Sequence, residues 1–216
     1  MVIGFTPGGQ PDIAARMIAP RLTELLGQQV VVDNRPGAGG VTGSRIVVEA
    51  QPDGYTLLAS SSSIAISPAV YANMPFDTMR DLSGITTTYS AAYVLSVTPS
   101  LPAKTLQDFV ALAKAKPGQL NFGSVPGNAS HLATELFKMM AGIDMVLVPY
   151  KGAAPATTDT IAGQIQLSWA STPGSVTFVK SGKLKAIGVT STKRIGPLPD
   201  VATVAESGLP GYEASV

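Results

Sequence analysis

The sequence predicts an α/β protein of two lobes, each built around a doubly wound sheet. Strand-like apolar runs of about four to seven residues alternate with helical periodicities almost throughout the chain. That alternation is the pattern of parallel strands joined through helices. The 216 residues and 45% hydrophobic content leave room for two lobes rather than one small domain. Midway, the strand-like run Tyr93-Val94-Leu95-Ser96-Val97 ends at Thr98-Pro99-Ser100-Leu101-Pro102, and prolines so placed mark a crossing between lobes. The first lobe is therefore expected over 1–96 and the second over 97–212.

Taken in order, Val2-Ile3-Gly4-Phe5 reads as the end of a strand, so the start is read as truncated. Ile13, Ala14, Met17, Ile18, Leu22 and Leu25 then recur at helical spacing behind Pro11 and Asp12, which suit a first turn, and the helix ends at Gly27. Pro20 falls inside it and predicts a kink, because proline removes a backbone hydrogen bond. Residues 29–33 read as a buried strand, 40–49 as a helix and 55–59 as a strand running into Ser60-Ser61-Ser62-Ser63, giving the first lobe a βαβαβ order. Beyond the crossing, Thr105 with Asp108 three residues later predicts an N-capped helix that stops at Pro117-Gly118. Strands at 120–123, 145–148, 165–169 and 184–189 alternate with helices near 130–141, 154–163 and 173–181, which makes the second doubly wound unit. No internal repeat relates the lobes.

Composition narrows the function. Charged residues are 13% of the chain and the formal net charge is +1, so the basic field that nucleic acid or an anionic membrane demands is missing. Zero cysteines remove thiol chemistry and cysteine-ligated metals, and one histidine among scattered carboxylates offers no recognised metal spacing. No run approaches the roughly 18 apolar residues of a membrane span, and the N-terminus lacks a signal-peptide pattern. A serine triad would have to be built on His131, and Gly123-Ser124-Val125-Pro126-Gly127 carries its serine one place early for a nucleophile elbow. His131 is read as a helix-start residue.

In open α/β sheets ligands collect beyond the carboxyl ends of the strands, where helix N-termini direct unpaired N–H groups. The loop Phe5-Thr6-Pro7-Gly8-Gly9-Gln10-Pro11-Asp12 is of this kind. Either an anion approaches its backbone at Gly8 and Gly9, or the glycines only shape a tight turn. Asp12 is read as a first-turn carboxylate serving the helix. Asn34-Arg35-Pro36-Gly37-Ala38-Gly39-Gly40 fails as a dinucleotide fingerprint, since the third glycine would have to stand at Thr42. Arg35 is read as a solvated or structural charge. Ser60 to Ser63 and the loop from Gly123 to His131 offer hydroxyls, although Asn128 or Ser130 serve equally as helix caps. Tyr150 is suited to lying against an organic solute or donating its hydroxyl, and Lys151 is a solvated charge. Trp169 alternates with Leu167, which leaves its side of the sheet open.

These loops closely resemble the Bug, or TctC-like, family of solute-binding proteins. The resemblance rests on Phe5 to Asp12, Val31-Val32-Asp33-Asn34-Arg35-Pro36-Gly37-Ala38-Gly39-Gly40, Pro52-Asp53-Gly54-Tyr55-Thr56-Leu57-Leu58, Pro149-Tyr150-Lys151-Gly152, and Leu198-Pro199-Asp200-Val201 with Glu206-Ser207-Gly208. It implies a type II-like Venus-flytrap fold, a periplasmic setting, no catalysis and no cofactor. A small mono-, di- or tricarboxylate or aromatic acid would be captured between the lobes and presented to the membrane subunits of a tripartite tricarboxylate-type transporter. It assigns ligand contacts to Phe5, Thr6, Gly8, Gly9, Gln10, Ser60 and Ser62 in the first lobe. In the second it assigns Ser124, Asn128, Ser130, Tyr150, Ala170, Ser171 and Thr172. Many relatives carry an aspartate where Ala170 aligns, so a solute bearing an amine is expected to be treated differently here. The chain stops at Tyr212-Glu213-Ala214-Ser215-Val216, where relatives return to the first lobe, so by the same resemblance 213–216 start that return, which is truncated and leaves part of the first lobe uncovered. An enzyme on a similar two-lobed scaffold is the alternative, and a cytoplasmic effector-sensing domain the third reading.

Overall fold

The computed structural model describes residues 1–214. Its two sheets are separate. The first has the order β2-β1-β3, all parallel, from β1 (Val2–Ile3), β2 (Asp33–Asn34) and β3 (Leu58–Ala59). Each ladder pairs only two residues, much shorter than the runs read from the sequence at 29–33 and 55–59. Val31 is 61% exposed, so 29–33 is not the buried strand its apolar content implies, and Tyr55, at 83% exposure, lies outside β3. In both ladders the β1 residues paired are Val2 and Ile3, and both are buried.

Helix α1 (Gln10–Leu26) follows β1. Pro11 occupies its first turn and Gly27, at φ 64°, ends it in the left-handed conformation that glycine adopts without strain. The helix continues through Pro20 as one element. A short 3₁₀ turn (Ala38–Gly40) leads into α2 (Val41–Val48), and α3 (Ser63–Val70) and α4 (Thr78–Asp81) follow β3.

The second sheet has the order β6-β5-β7-β4-β8, from β4 (Tyr93–Val97), β5 (Asn121–Ser124), β6 (Val146–Pro149), β7 (Leu167–Ser171) and β8 (Lys185–Val189). Strand β5 runs parallel to β6 and β7, but β4 runs antiparallel to both β7 and β8. The expectation of purely parallel sheets is thus corrected. Strand β4 is the segment arriving from the first lobe and not the product of a helical crossover, so nothing obliges it to share the others' direction. It is also an inner strand of the second sheet, with all five residues buried. Leu101 and Ala103 belong to the second lobe's core as well. We therefore place the passage between lobes before Tyr93 rather than at 98–102.

Around this sheet pack α5 (Leu106–Ala115), α6 (Ala129–Ala141), α7 (Ala153–Ile161) and α8 (Thr172–Lys180). The cap of α5 is the one the sequence announces: Thr105 Oγ1 accepts from the Asp108 N–H, and the Asp108 carboxylate accepts from the Thr105 N–H. The core of this lobe is large and aromatic. Trp169 lies in it at 2% exposure, edge-on to Tyr93 and Phe137 and beside Tyr212. At the described end of the chain the Ala214 N–H donates to Thr190 O, and Thr190 is itself bonded to Tyr93, so 214 lies beside the strand that enters the lobe. Residues 215–216 of the expected return segment lie outside the described residues. Among the described residues no helix is long and apolar enough to cross a membrane.

Candidate functional site

The residues before α1 form a braced loop. Gly8 N–H donates to Asp12 Oδ2 at 2.9 Å, Arg16 Nε donates to Asp12 Oδ1 at 3.0 Å, Arg16 Nη2 donates to Asn34 Oδ1, and Asn34 Nδ2 donates to Phe5 O. Burial of Asp12 works against its charge, yet the hydrogen bonds from Arg16 and Gly8 and the guanidinium's field outweigh it and hold the carboxyl below its ordinary value. Asp12 is thus the helix-serving carboxylate its position suggests. Of the two glycines, Gly8, at φ 77°, adopts a left-handed backbone, whereas Gly9 is extended at φ −72° and a Cβ there would only crowd Thr6 O.

This loop meets the second lobe. Thr6 lies so close to Gly152 that a Cβ on that glycine would overlap Thr6 Oγ1, and a Cβ on Gly8 would touch the Ala154 Cβ at 3.5 Å. Gly9 is the N-cap of α1 and Gly152 that of α7, so the N-terminal ends of two helices from different lobes face one another. Among the described residues no side chain caps either helix, nor α8, which also touches α1. Both ends carry positive partial charge, an arrangement that an anion between them relieves. At the same place Thr6 Oγ1 and Gln10 Nε2 are buried and have no hydrogen-bond partner among the described residues. A buried polar group left unpaired costs about 1–3 kcal/mol, so two together at one junction call for a ligand or water.

The second-lobe residues read from the sequence behave differently. Asn128 caps α6, and its Oδ1 accepts from the His131 N–H, from Ser130 Oγ and from Ser124 Oγ. The hydroxyls of Ser124 and Ser130 also lie 2.8 Å apart. These three side chains therefore spend most of their hydrogen-bonding capacity on one another, leaving the Asn128 amide N–H₂ as the donor to offer. Tyr150 is a half-corrected expectation. Its ring lies over Gly123, but its hydroxyl donates to Asp159 Oδ2, and burial first, with the neighbouring carboxylate second, pushes its pKa up to about 12. It is not a free donor.

Ala170 and Ser171 are buried in β7, while Thr172 opens α8 and turns both its N–H and its hydroxyl onto Ala92 O. In the first lobe Ser62 is exposed, and Ser61 and Ser63 pair with each other instead. Ser60 O accepts from the Tyr89 hydroxyl at 3.5 Å. Phe5 is 5% exposed, its ring seated against Gly40 and within an apolar cluster. The structure so brings Thr6, Gly8, Gly9 and Gln10 together and leaves Ser62 outside. It adds Gly152, which the sequence displays only within the Pro149 to Gly152 motif and whose steric role has no local signature. His131 stacks on Phe122, and its Nδ1 accepts from Gly127 N–H, which leaves the proton on Nε2 in the neutral ring. Two open depressions, of 460 Å³ along residues 68–80 and 320 Å³ beside Val41 and Arg45, are lined by first-lobe residues and do not include the Thr6–Gly152 junction.

Two α/β lobes meeting through strand-end loops are the architecture of periplasmic solute-binding proteins. The family model described as the tripartite tricarboxylate transporter family receptor matches residues 14–216. Protein BugT of Bordetella pertussis is 37% identical over 218 residues, covering 100% of this chain and 67% of its own. A structure from R. palustris with adipate superposes with a TM-score of 0.96 at 38% identity, over 99% of this chain and 72% of that one. MatC from Rhodopseudomonas palustris with bound malate superposes at 0.91 with 27% identity, over 99% and 74%. This chain belongs to the tripartite tricarboxylate transporter receptor family. It spans about two thirds of the length of the curated relatives it matches.

Proposed function

We propose that this chain is a periplasmic receptor that captures a small carboxylate between its lobes, without altering it, for a tripartite tricarboxylate-type transporter. The observation that carries this is the junction itself. Among the described residues Thr6 Oγ1 and Gln10 Nε2 have no partner, and they lie beside the facing ends of α1 and α7, which no side chain caps. A carboxylate there takes hydrogen bonds from neutral donors and satisfies both helix dipoles at once. Membership of a receptor family supports the reading, as do relatives solved with adipate and with malate. Thr6, Gly8, Gly9 and Gln10 hold the carboxylate in this scheme. Phe5 supports them from behind, Ser60 lies at the margin, and the Asn128 amide, ordered by Ser124 and Ser130, reaches from the second lobe. Tyr150 contributes its ring, and Ala170, Ser171 and Thr172 the wall and N-terminal end of α8. Ser62, exposed as it stands, would join only on rearrangement.

The acceptors of this region are engaged: Asp12 by Gly8 and Arg16, Asn128 Oδ1 by three donors, Asp159 by Tyr150. Among the described residues an ammonium group would have to share Asp12 or Asp159 with these standing partners, so plain acids are favoured over their 2-amino counterparts. Capture without chemistry is further supported because, among the described residues, the imidazole of His131 is held by Gly127 and the hydroxyls of Ser124 and Ser130 by Asn128. A thermal-shift screen over mono-, di-, tri- and aromatic carboxylic acids, with each acid paired to its amino analogue, tests the proposal. At a hundredfold excess over Kd a true ligand adds about 2.7 kcal/mol of stability. At least one acid should stabilise the protein and be recovered unchanged; silence across the panel from folded protein would overturn the reading.

A further inference from the structure

The loop between β5 and α6 does more than carry Asn128. Val125 belongs by sequence to the second lobe, yet it is 3% exposed inside an apolar cluster with Ile3, Phe5 and Ala15, all first-lobe residues. Met1, Val32 and Ala59 pack around the same cluster. The next two residues also seat on the first lobe. Pro126 O accepts from the Tyr71 hydroxyl at 3.5 Å and lies against Gly39, and Gly127, at φ 75°, presses on Val70 so closely that a Cβ would stand 2.7 Å from Val70 Cγ1. None of these contacts involves Thr6, Gln10 or the facing helix ends.

We propose that Val125 to Gly127 is a latch that holds the lobes together independently of ligand, and that Val125 is a positioning residue for capture. Separation of the lobes would draw Val125 out of the Phe5 cluster into water and expose apolar surface on both sides. That cost falls on the open form alone, so it raises the closed population. Because a ligand's apparent affinity scales with the fraction of protein in the competent form, the latch sets affinity without touching the solute.

The chain has no cysteine, so Met17→Cys in the first lobe and Met139→Cys in the second, both at exposed positions, can carry a pair of spin labels. The interlobe distance distribution of the ligand-free labelled chain is then read directly. One short distance is expected for the parent. Val125→Ser should raise the long-distance population about tenfold, equivalent to about 1.4 kcal/mol. Val70→Ser should raise it too, and Val125→Ile should restore the parent distribution. Val70 is 44% exposed, so its replacement does not threaten folding and decides the matter if Val125→Ser loses its circular dichroism spectrum. An unchanged distribution in Val70→Ser and in folded Val125→Ser, or a parent already mostly in the long-distance form, would overturn the latch. Neither result depends on which solute is bound, so the carboxylate reading stands or falls separately.

Discussion

Both carboxylate oxygens of Asp12 are engaged, Oδ2 by the Gly8 N–H and Oδ1 by the Arg16 guanidinium, and the residue is only 3% exposed. The consequence is a defined pH response. Its folded pKa lies below the unfolded value of 3.8, because the bonds to the charged form outweigh burial. The stability it supplies is therefore present in full above pH 3.8 and lost as pH falls through the depressed folded value. Asp12→Asn should lower stability at pH 7 by about 2 kcal/mol, the scale of hydrogen bonds to a charged group. Thermal unfolding at pH 7 and at progressively lower pH checks this, since the gap between parent and variant must narrow only at the acid end. Its role was legible because a carboxylate in a helix's first turn has few other uses. Tyr150 was not, for its hydroxyl is claimed by Asp159, nine residues on, and nothing in the motif Pro149 to Gly152 announces that partner.

At the scale of elements, what the sequence discloses follows how local each cause is. The cap of α5 is local, and Thr105 and Asp108 form the reciprocal pair their spacing predicts. Thr105→Ala should cost about 1 kcal/mol, read as a lowered urea midpoint with an unchanged m-value; no shift would mean that the capping box is redundant with tertiary packing. The helices of the second lobe are legible for similar reasons, since α6 begins at an Asn cap and ends at Gly142 in the left-handed conformation. Strand direction is not local. Alternation of strand and helix records order along the chain, and β4 inserts antiparallel between β7 and β8 through partners at Leu167–Ser171 and Lys185–Val189, far along the chain. The first sheet shows the same: the apolar runs at 29–33 and 55–59 read as strands, yet the pairs they form with β1 are two each, at Asp33–Asn34 and Leu58–Ala59. Closure is the least local of all. Gly152 against Thr6 and Val125 among Ile3, Phe5 and Ala15 exist only when two lobes meet.

For the whole molecule, the two lobes are unequal in what holds them. The second buries Trp169, Phe109, Phe122, Phe137 and Tyr212 around a five-stranded sheet, and the Tyr212 hydroxyl is tied to Ala133 O. The first has three short strands over a small cluster that itself borrows Val125, and it leaves Met17, Leu25 and Leu26 of α1 largely exposed. Apolar burial is the main favourable term in folding, so this asymmetry predicts separable stabilities rather than one cooperative transition. Trp169 is the only tryptophan and reports the second lobe alone, whereas far-UV circular dichroism reports the helices of both. In urea, part of the circular dichroism signal of this chain should be lost before Trp169 fluorescence changes. Amide exchange in β1 to β3 should likewise outpace that in β4, β5 and β7. Coincident transitions would instead mean that the lobes unfold as one, with interlobe contacts carrying far more energy than a single valine seat implies. A carboxylate held between the lobes binds only where both are folded. By linkage it should raise the earlier transition toward the later one, so the same titration repeated with a bound acid measures how much of the first lobe's order is supplied by its ligand.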